Sequence, residues 1–240
     1  MSKQRVPQKS PPPENGGARR ARKSILVVDD HPLMRAGLCE IIRKTPDLEI
    51  CAEAGSPAEV LTLLAKVTPD LLLTDMNMPG RSGLEFIKDV LAPHPRLSIL
   101  VLSMHDEGLY AERALRAGAQ GYVMKDAGGE KLLGAIRHVL SGQVYVSEKM
   151  AKHFLDAMTH RRPRLAESPI EKLTDREFEV FRLIGQGTTT GRVARQLNLS
   201  PKTVAAHRAN IKEKLGLKDA SELILYAVRW VQTQDARPPA

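Results

Sequence analysis

Four short apolar runs, each ending in a polar residue at the same relative place, constrain this chain more than any other feature. Ile25-Leu26-Val27-Val28 leads into Asp29-Asp30, and Leu71-Leu72-Leu73-Thr74 into Asp75. Ile99-Leu100-Val101-Leu102 leads into Ser103, and Tyr122-Val123-Met124 into Lys125. Continuous apolar runs of this length read as strands buried on both faces, as in a parallel sheet, and such sheets bind ligands outside their carboxyl ends. Asp29, Asp30, Asp75, Ser103 and Lys125 are therefore predicted to converge on one pocket.

From residue 25 the pattern alternates between strands (25–28, 48–54, 71–74, 98–102, 121–124) and helices (32–44, 57–66, 83–91, 108–117, 128–141). That order argues for βα units and a parallel sheet. Pro32, Pro57 and Gly118 mark helix ends in the expected sense. Residues 1–24, with Pro11-Pro12-Pro13 and Arg19-Arg20-Ala21-Arg22-Lys23, carry too few apolar groups to offset ordering entropy and read as a disordered basic tail. Residues 148–170 read as a linker, with a short helix available near Lys149–Met158, and 234–240 as a second tail. Between them, 171–233 is patterned as helices near 175–185, 191–197, 201–215 and 220–232. Thr174 with Glu177, Asp219 with Glu222, and Ser200-Pro201 supply the starts. The fold class is α/β: a doubly wound five-stranded parallel sheet at 25–147, followed by a small all-α domain.

Charge separates the two halves. The whole chain is +8, yet 25–147 is net −4 while 169–240 is net +4 and the first 24 residues are net +6. Anionic polymers are thus expected at the C-terminal part. Cys39 and Cys51 lack metal-ligand spacing and read as buried free thiols of a reducing cytoplasm, and no run approaches the ~18 apolar residues of a membrane span. Export and membrane embedding are not expected.

Three clustered carboxylates repel one another unless a cation neutralises them, and Mg²⁺ suits an oxygen set that also receives phosphate. Asp75 can then act as a nucleophile toward phosphorus, with Lys125 and Ser103 on phosphoryl oxygens. The segments Val27-Val28-Asp29-Asp30-His31-Pro32, Leu73-Thr74-Asp75-Met76-Asn77-Met78-Pro79-Gly80, Val101-Leu102-Ser103 and Gly121-Tyr122-Val123-Met124-Lys125 closely resemble response-regulator receiver domains of flavodoxin-like fold. The resemblance implies that Asp75 accepts a phosphoryl group from a histidine kinase. It also implies that Asp29, Asp30, Asp75 and the Asn77 carbonyl organise Mg²⁺, directly or through water, and that Ser103 and Tyr122 are switch residues. His105 is expected on a surface loop.

In the 201–215 helix, Val204, Ile211 and Leu215 fall on one stripe, and Lys202, Ala205, Ala206 and Ala209 on the opposite side. With Thr203, Arg208 and Lys212 around them, these suit a helix entering a DNA major groove. Leu173-Thr174-Asp175-Arg176-Glu177, Val193-Ala194-Arg195-Gln196-Leu197 and Ser200-Pro201-Lys202-Thr203-Val204-Ala205-Ala206-His207-Arg208 resemble the LuxR-type helix-turn-helix, and with the receiver they resemble the NarL/FixJ family. Two departures stand out: Thr188-Thr189-Thr190-Gly191-Arg192 weakens the start of the scaffold helix, and the three alanines offer no hydrogen bond to bases. The implied function is a phosphorylation-dependent DNA-binding transcriptional regulator of a two-component system, not an enzyme acting on outside substrates. A homodimer through the last helix, on inverted half-sites, is expected on phosphorylation. The alternative is a phosphate sink or protein-interaction receiver without specific DNA readout.

Overall fold

The computed structural model describes residues 22–78, 82–104, 107–158 and 169–235. The two tails apart from a few residues, the middle of the 148–170 segment and His105 lie outside them. The first half is β1 (Lys23–Val28), α1 (Pro32–Arg43), β2 (Leu48–Ala54), α2 (Pro57–Leu64), β3 (Leu71–Asp75), α3 (Gly83–Leu91), β4 (Ser98–Ser103), α4 (Glu107–Arg116), β5 (Gly121–Met124), α5 (Gly129–Leu140) and α6 (Glu148–Met158). All neighbouring strands pair in parallel, in the order β2-β1-β3-β4-β5. This is the flavodoxin-like order, with its crevice where β1 and β3 lie side by side. Ile25 to Val28, Leu71 to Leu73 and Ile99 to Leu102 are at most 2% exposed, which is why their sequence shows no alternation.

Register sets the site. Val28 lies beside Thr74, Asp75 beside Leu102, and Ser103 beside Met124. One step further along β1 therefore brings Asp29 level with Asp75, and Lys125 follows two residues beyond that level, after the end of β5. Helix starts are fixed locally: Ser56 and Ser82 accept from the backbone of Glu59 and Glu85, and Pro32 and Pro57 occupy the first turns of α1 and α2. Beyond α5, the segment around Tyr145 bonds along the free side of β5. The Tyr122 amide donates to the Tyr145 carbonyl at 3.0 Å and the Tyr145 amide to that of Gln120 at 2.9 Å.

Two boundaries differ from the sequence reading. Strand β1 begins at Lys23 rather than Ile25, because Asp70 holds it: Lys23 Nζ and the Ser24 amide donate to the two Asp70 oxygens at 2.7 and 2.8 Å. Within the 148–170 segment the short helix offered near Lys149–Met158 is present as α6, starting at Glu148 and packed on the first half: its Met150 is 2% exposed and the hydroxyl of Ser147, just before it, bonds Glu107 of α4. Charged residues on its outer face hid a narrow apolar stripe.

The second half comprises a 3₁₀ turn (Pro169–Lys172), α7 (Asp175–Gly185), α8 (Thr190–Gln196), α9 (Pro201–Leu215) and α10 (Ala220–Asp235). Ile170, Phe178, Phe181, Val193, Val204, Ile211, Leu223 and Ala227 form its core, with Trp230 against both phenylalanine rings at 5.6–5.7 Å. Ile170 was assigned to the linker from sequence, yet it is fully buried here. No helix among the described residues is long and apolar enough to cross a membrane.

Gly83, the first residue of α3, has no room for a side chain, since a Cβ there would lie 2.2 Å from the Met76 carbonyl oxygen. Gly134, exposed in the middle of α5, has nothing within 4 Å of that position. Gly83→Ala is expected to cost about 1–3 kcal/mol in urea unfolding, while Gly134→Ala gains up to about 1 kcal/mol.

Candidate functional site

At the carboxyl edge of the sheet, Lys125 is the hub. Its Nζ donates to Asp29 Oδ2 and to Asp75 Oδ2, each at 2.7 Å, with all three side chains at most 5% exposed. The loop ends are tied down by backbone bonds, Met76 to the Leu102 carbonyl and Lys125 to that of Ser103. The His31 amide donates to Asp29 Oδ1 at 2.8 Å, and the Asn77 amide to Asp75 Oδ1 at 3.0 Å. Both carboxylates are therefore oriented from two sides. Ser103 and Tyr122 are fully buried on β4 and β5.

Burial, reinforced by the charge of Asp29, pushes Asp75 above the usual carboxylate range, and Lys125 with the Asn77 amide only partly offsets it. Desolvation works against the charge on Lys125, but its bonds to the two carboxylates hold the ammonium above its ordinary value. One ammonium cannot neutralise Asp29, Asp30 and Asp75 together. Among the described residues, these three and His31 can each offer a ligand atom, all within 4.8 Å of one another. His31, whose Nδ1 lies 2.8 Å from Asp30 Oδ1, is an addition to the set read from sequence. The signal was its position directly after the acidic pair. The donors are mainly hard oxygens, a set that fits Mg²⁺.

The second site lies on α9. Ser200 caps it, Pro201 follows, and Gly216 closes it in the left-handed region at φ +67°. Val204 and Ile211 face the core, while Lys202, Ala205, Ala206 and Ala209 are exposed, as the periodicity predicts. Asn198 turns the chain between α8 and α9 at φ +52°, a conformation asparagine tolerates better than most residues. Two of the residues expected around the outer face already hold other groups: Arg208 donates to Thr190 Oγ1 at 3.2 Å, and Thr203 Oγ1 is 2.8 Å from Ser200 Oγ. Arg192 and Arg195 on α8 are exposed basic residues that the sequence reading left without a role. The N-cap of α8, Thr189, makes no side-chain cap bond, in keeping with the unusual threonine run. At α7, Thr174 and Glu177 form the full capping box, and Lys214 of α9 donates to Glu177 at 2.6 Å. On α10, Leu223 and Ala227 are core and Trp230 packs on α7, so the exposed apolar residues are Ile224 and Leu225.

An α/β sheet with an acidic, lysine-bridged pocket at its switch point, joined to a helix-turn-helix with a basic outer face, defines a response regulator. Residues 25–137 match the response regulator receiver domain, and 171–227 match the bacterial regulatory proteins of the luxR family. The response regulator GacA of Pseudomonas aeruginosa is 35% identical over 205 residues, 85% of this chain and 95% of that protein. The oxygen regulatory protein NreC of Staphylococcus aureus is 36% identical over 209 residues, 85% and 96% of the two chains. The chain thus belongs to the NarL/FixJ family of response regulators, with a receiver and a LuxR-type helix-turn-helix domain. Its fold is like that of RcsB from Salmonella enterica, solved bound to a promoter with a phosphomimetic, at TM-score 0.65 and 23% identity over 87% of this chain and 99% of that one. A LuxR-family response regulator from Aurantimonas is 31% identical over 58% of this chain and 99% of its own length, at TM-score 0.54.

Lys125→Met strands two buried carboxylates. It is expected to cost about 3–5 kcal/mol in urea unfolding with chelator present, and millimolar Mg²⁺ should recover much of the loss. Burial tends to raise the Glu177 pKa, but Lys214 and the Thr174 amide hold it below the ordinary value. Its stabilisation is then present above the unfolded carboxylate pKa and lost as pH falls through the folded one. Lys214→Met should cost about 1 kcal/mol at neutral pH, and the difference from wild type should shrink as pH falls below the ordinary carboxylate range and disappear once Glu177 is protonated in the folded chain.

Proposed function

We propose that the chain accepts a phosphoryl group on Asp75 from a histidine kinase and, so modified, binds operator DNA through α9 to regulate transcription. The observation that carries the reading is the Lys125 bridge between Asp29 and Asp75 at the level strand ends. A phosphate donor arriving there meets an oriented carboxylate nucleophile and a buried cation. The Asp75 carboxylate attacks phosphorus, the phosphorus–nitrogen bond of the kinase phosphohistidine breaks, and an acyl phosphate remains on Asp75. Mg²⁺, when bound, supplies charge neutralisation for the incoming phosphoryl oxygens. Asp29, Asp30, Asp75 and the Asn77 carbonyl would hold it, with His31 beside them. Lys125 would then pair with a phosphoryl oxygen, and Ser103 and Tyr122 would respond to the new group from the adjacent strands. The product modifies the chain itself, so the chemistry is signalling and not turnover of an outside substrate.

On α9, Lys202, Arg208 and Lys212 would meet phosphates, and Thr203, Ala205, Ala206 and Ala209 would face the groove. Alanines contribute thymine-methyl contacts and close approach, so readout leans on DNA shape. Ile224 and Leu225 on α10 suit a homodimer contact that would place two such helices on inverted half-sites. The receiver part extends through α6 and the DNA-binding part begins at Pro169. A cytoplasmic location follows from the substrates of both parts. The three alanines also favour a second reading, a phosphate sink without sequence preference, which competition between random duplexes would distinguish.

The test is phosphate-affinity gel mobility after incubation with acetyl phosphate. A shift that needs Mg²⁺ and disappears in Asp75→Asn is the expected outcome, and a shift retained in that variant would remove Asp75 as the acceptor.

A further inference from the structure

Buried and half-buried cations elsewhere in this chain are spent on acceptors. Lys125 holds Asp29 and Asp75, and Arg113 holds Asp175 with the Ile170 and Leu173 carbonyls. Arg176 lies 3.3 Å from both Glu85 and Glu179. Two residues of α9 break the pattern. Arg208 and Lys212, one turn apart, are half-buried, and neither bonds a carboxylate among the described residues. The acids at the start of α10 are committed to backbone, Asp219 to the Ser221 and Glu222 amides and Glu222 to that of Lys218.

Both cations line a recess of about 240 Å³ between α8, α9 and the start of α10. Ala205 and Ala209, the buried Leu223 and Thr190 complete its lining. Thr190 Oγ1 accepts from Arg208 Nη1 at 3.2 Å, which ties one edge of the guanidinium down. A hydroxyl that accepts one bond still has its own proton to give, and the guanidinium keeps its remaining N–H groups. Thr190, Arg208 and Lys212 thus bring donors to one small volume over an apolar base. Such a set selects an anion, and a fork beside a point charge matches the oxygens of a phosphate. Ala205 and Ala209 keep the recess open, since a longer side chain at either would enter it.

We propose that Arg208, Lys212 and Thr190 form a seat for one phosphodiester of the DNA backbone, with Thr190 as the positioning residue that aims Arg208. This rests on the reading of α9 given above and deepens it by naming the contact that sets the register. Anchored at that phosphate, α9 occupies one place along the groove. Sequence is then selected by whether the duplex brings a phosphate to the seat while its groove admits the helix. The unusual threonine run before α8 gains a role: its last hydroxyl orients a side chain of the reading helix.

The full-length chain, with and without acetyl phosphate and Mg²⁺, is titrated with a duplex enriched from a random pool. The same duplex is also made with one phosphate at a time replaced by an uncharged methylphosphonate. Wild type should lose about tenfold in affinity at one position of each half-site. Arg208→Met should lose about tenfold on the unmodified duplex, nothing further at that position, and about one unit of the log–log salt slope per protomer. Thr190→Val keeps every charge, yet should cost about fivefold alone and nothing when added to Arg208→Met, with Thr190→Ser restoring wild-type affinity. Ala209→Leu fills the recess with both cations in place and should reproduce the loss of Arg208→Met, and circular dichroism confirms that each variant is folded. Wild-type binding with no sensitive phosphate, or a sensitivity that Arg208→Met leaves intact, overturns the proposal. A Thr190→Val cost that persists in the Arg208→Met background removes Thr190 as the positioning residue. Ala206→Glu, on the outer face of α9 and outside the recess lining, separates this proposal from the reading beneath it. Binding that survives Ala206→Glu, or a wild-type chain that binds no duplex, fails the α9 reading and the seat with it. Binding that Ala206→Glu abolishes, with no phosphate coupled to Arg208, fails the seat alone.

Discussion

Everything at the candidate site depends on a charge imbalance that the sheet itself creates. Parallel pairing in register puts Asp29 and Asp75 level at the ends of β1 and β3, with Lys125 two residues beyond that level, and water has been removed from both carboxylates. Lys125 is the only described cation bonded to both. An isolated buried carboxylate is too costly to keep ionised, so the two acids depend on the bridging ammonium. The imbalance is local and lies at the sheet's rim, where the proposed phosphoryl group would meet it.

The helical domain solves a different problem with similar means. Helix α8 is short and starts without a side-chain cap bond, so polar ties between helices matter. Lys214 joins α9 to Glu177, Arg208 joins it to Thr190, and Arg176 donates to the Leu197 carbonyl at the turn before α9. These bonds hold α9 and the turn before it, and Ala205, Ala206 and Ala209 leave a cut-back strip on its basic outer face. A rigid scaffold with a cut-back surface suits close approach by another macromolecule better than it suits a small ligand.

Much of this was legible in the sequence because the signals were local. Apolar runs ending in a polar residue marked four of the five strands, Thr174 with Glu177 the start of α7, and Ser200-Pro201 that of α9. What escaped depended on long-range partners. Lys23 joins β1 because of Asp70, forty-seven residues away, and the packing of α6 on the first half through Met150 has no local signal. Arg113 lies on the same helical stripe as Tyr110, Ala114 and Ala117, and a charge on a buried stripe is a usable hint. Its partners, two carbonyls in another domain, have no sequence signature. Asp219 shows the intermediate case: it bonds the Ser221 and Glu222 amides as a cap, but Glu222 reaches back to Lys218 rather than to Asp219.

The segment around Tyr145 that bonds along β5 has a bearing on how copies of this chain can come together. An open sheet invites strand addition at its margins, the common route to uncontrolled assembly. Here one margin is occupied by the chain's own backbone, and the other, β2, carries the exposed acids Glu49 and Glu53. Backbone-templated growth is thereby discouraged at both rims. Self-association is left to side-chain surfaces on helices, which can be reversible and can respond to chemistry elsewhere in the molecule.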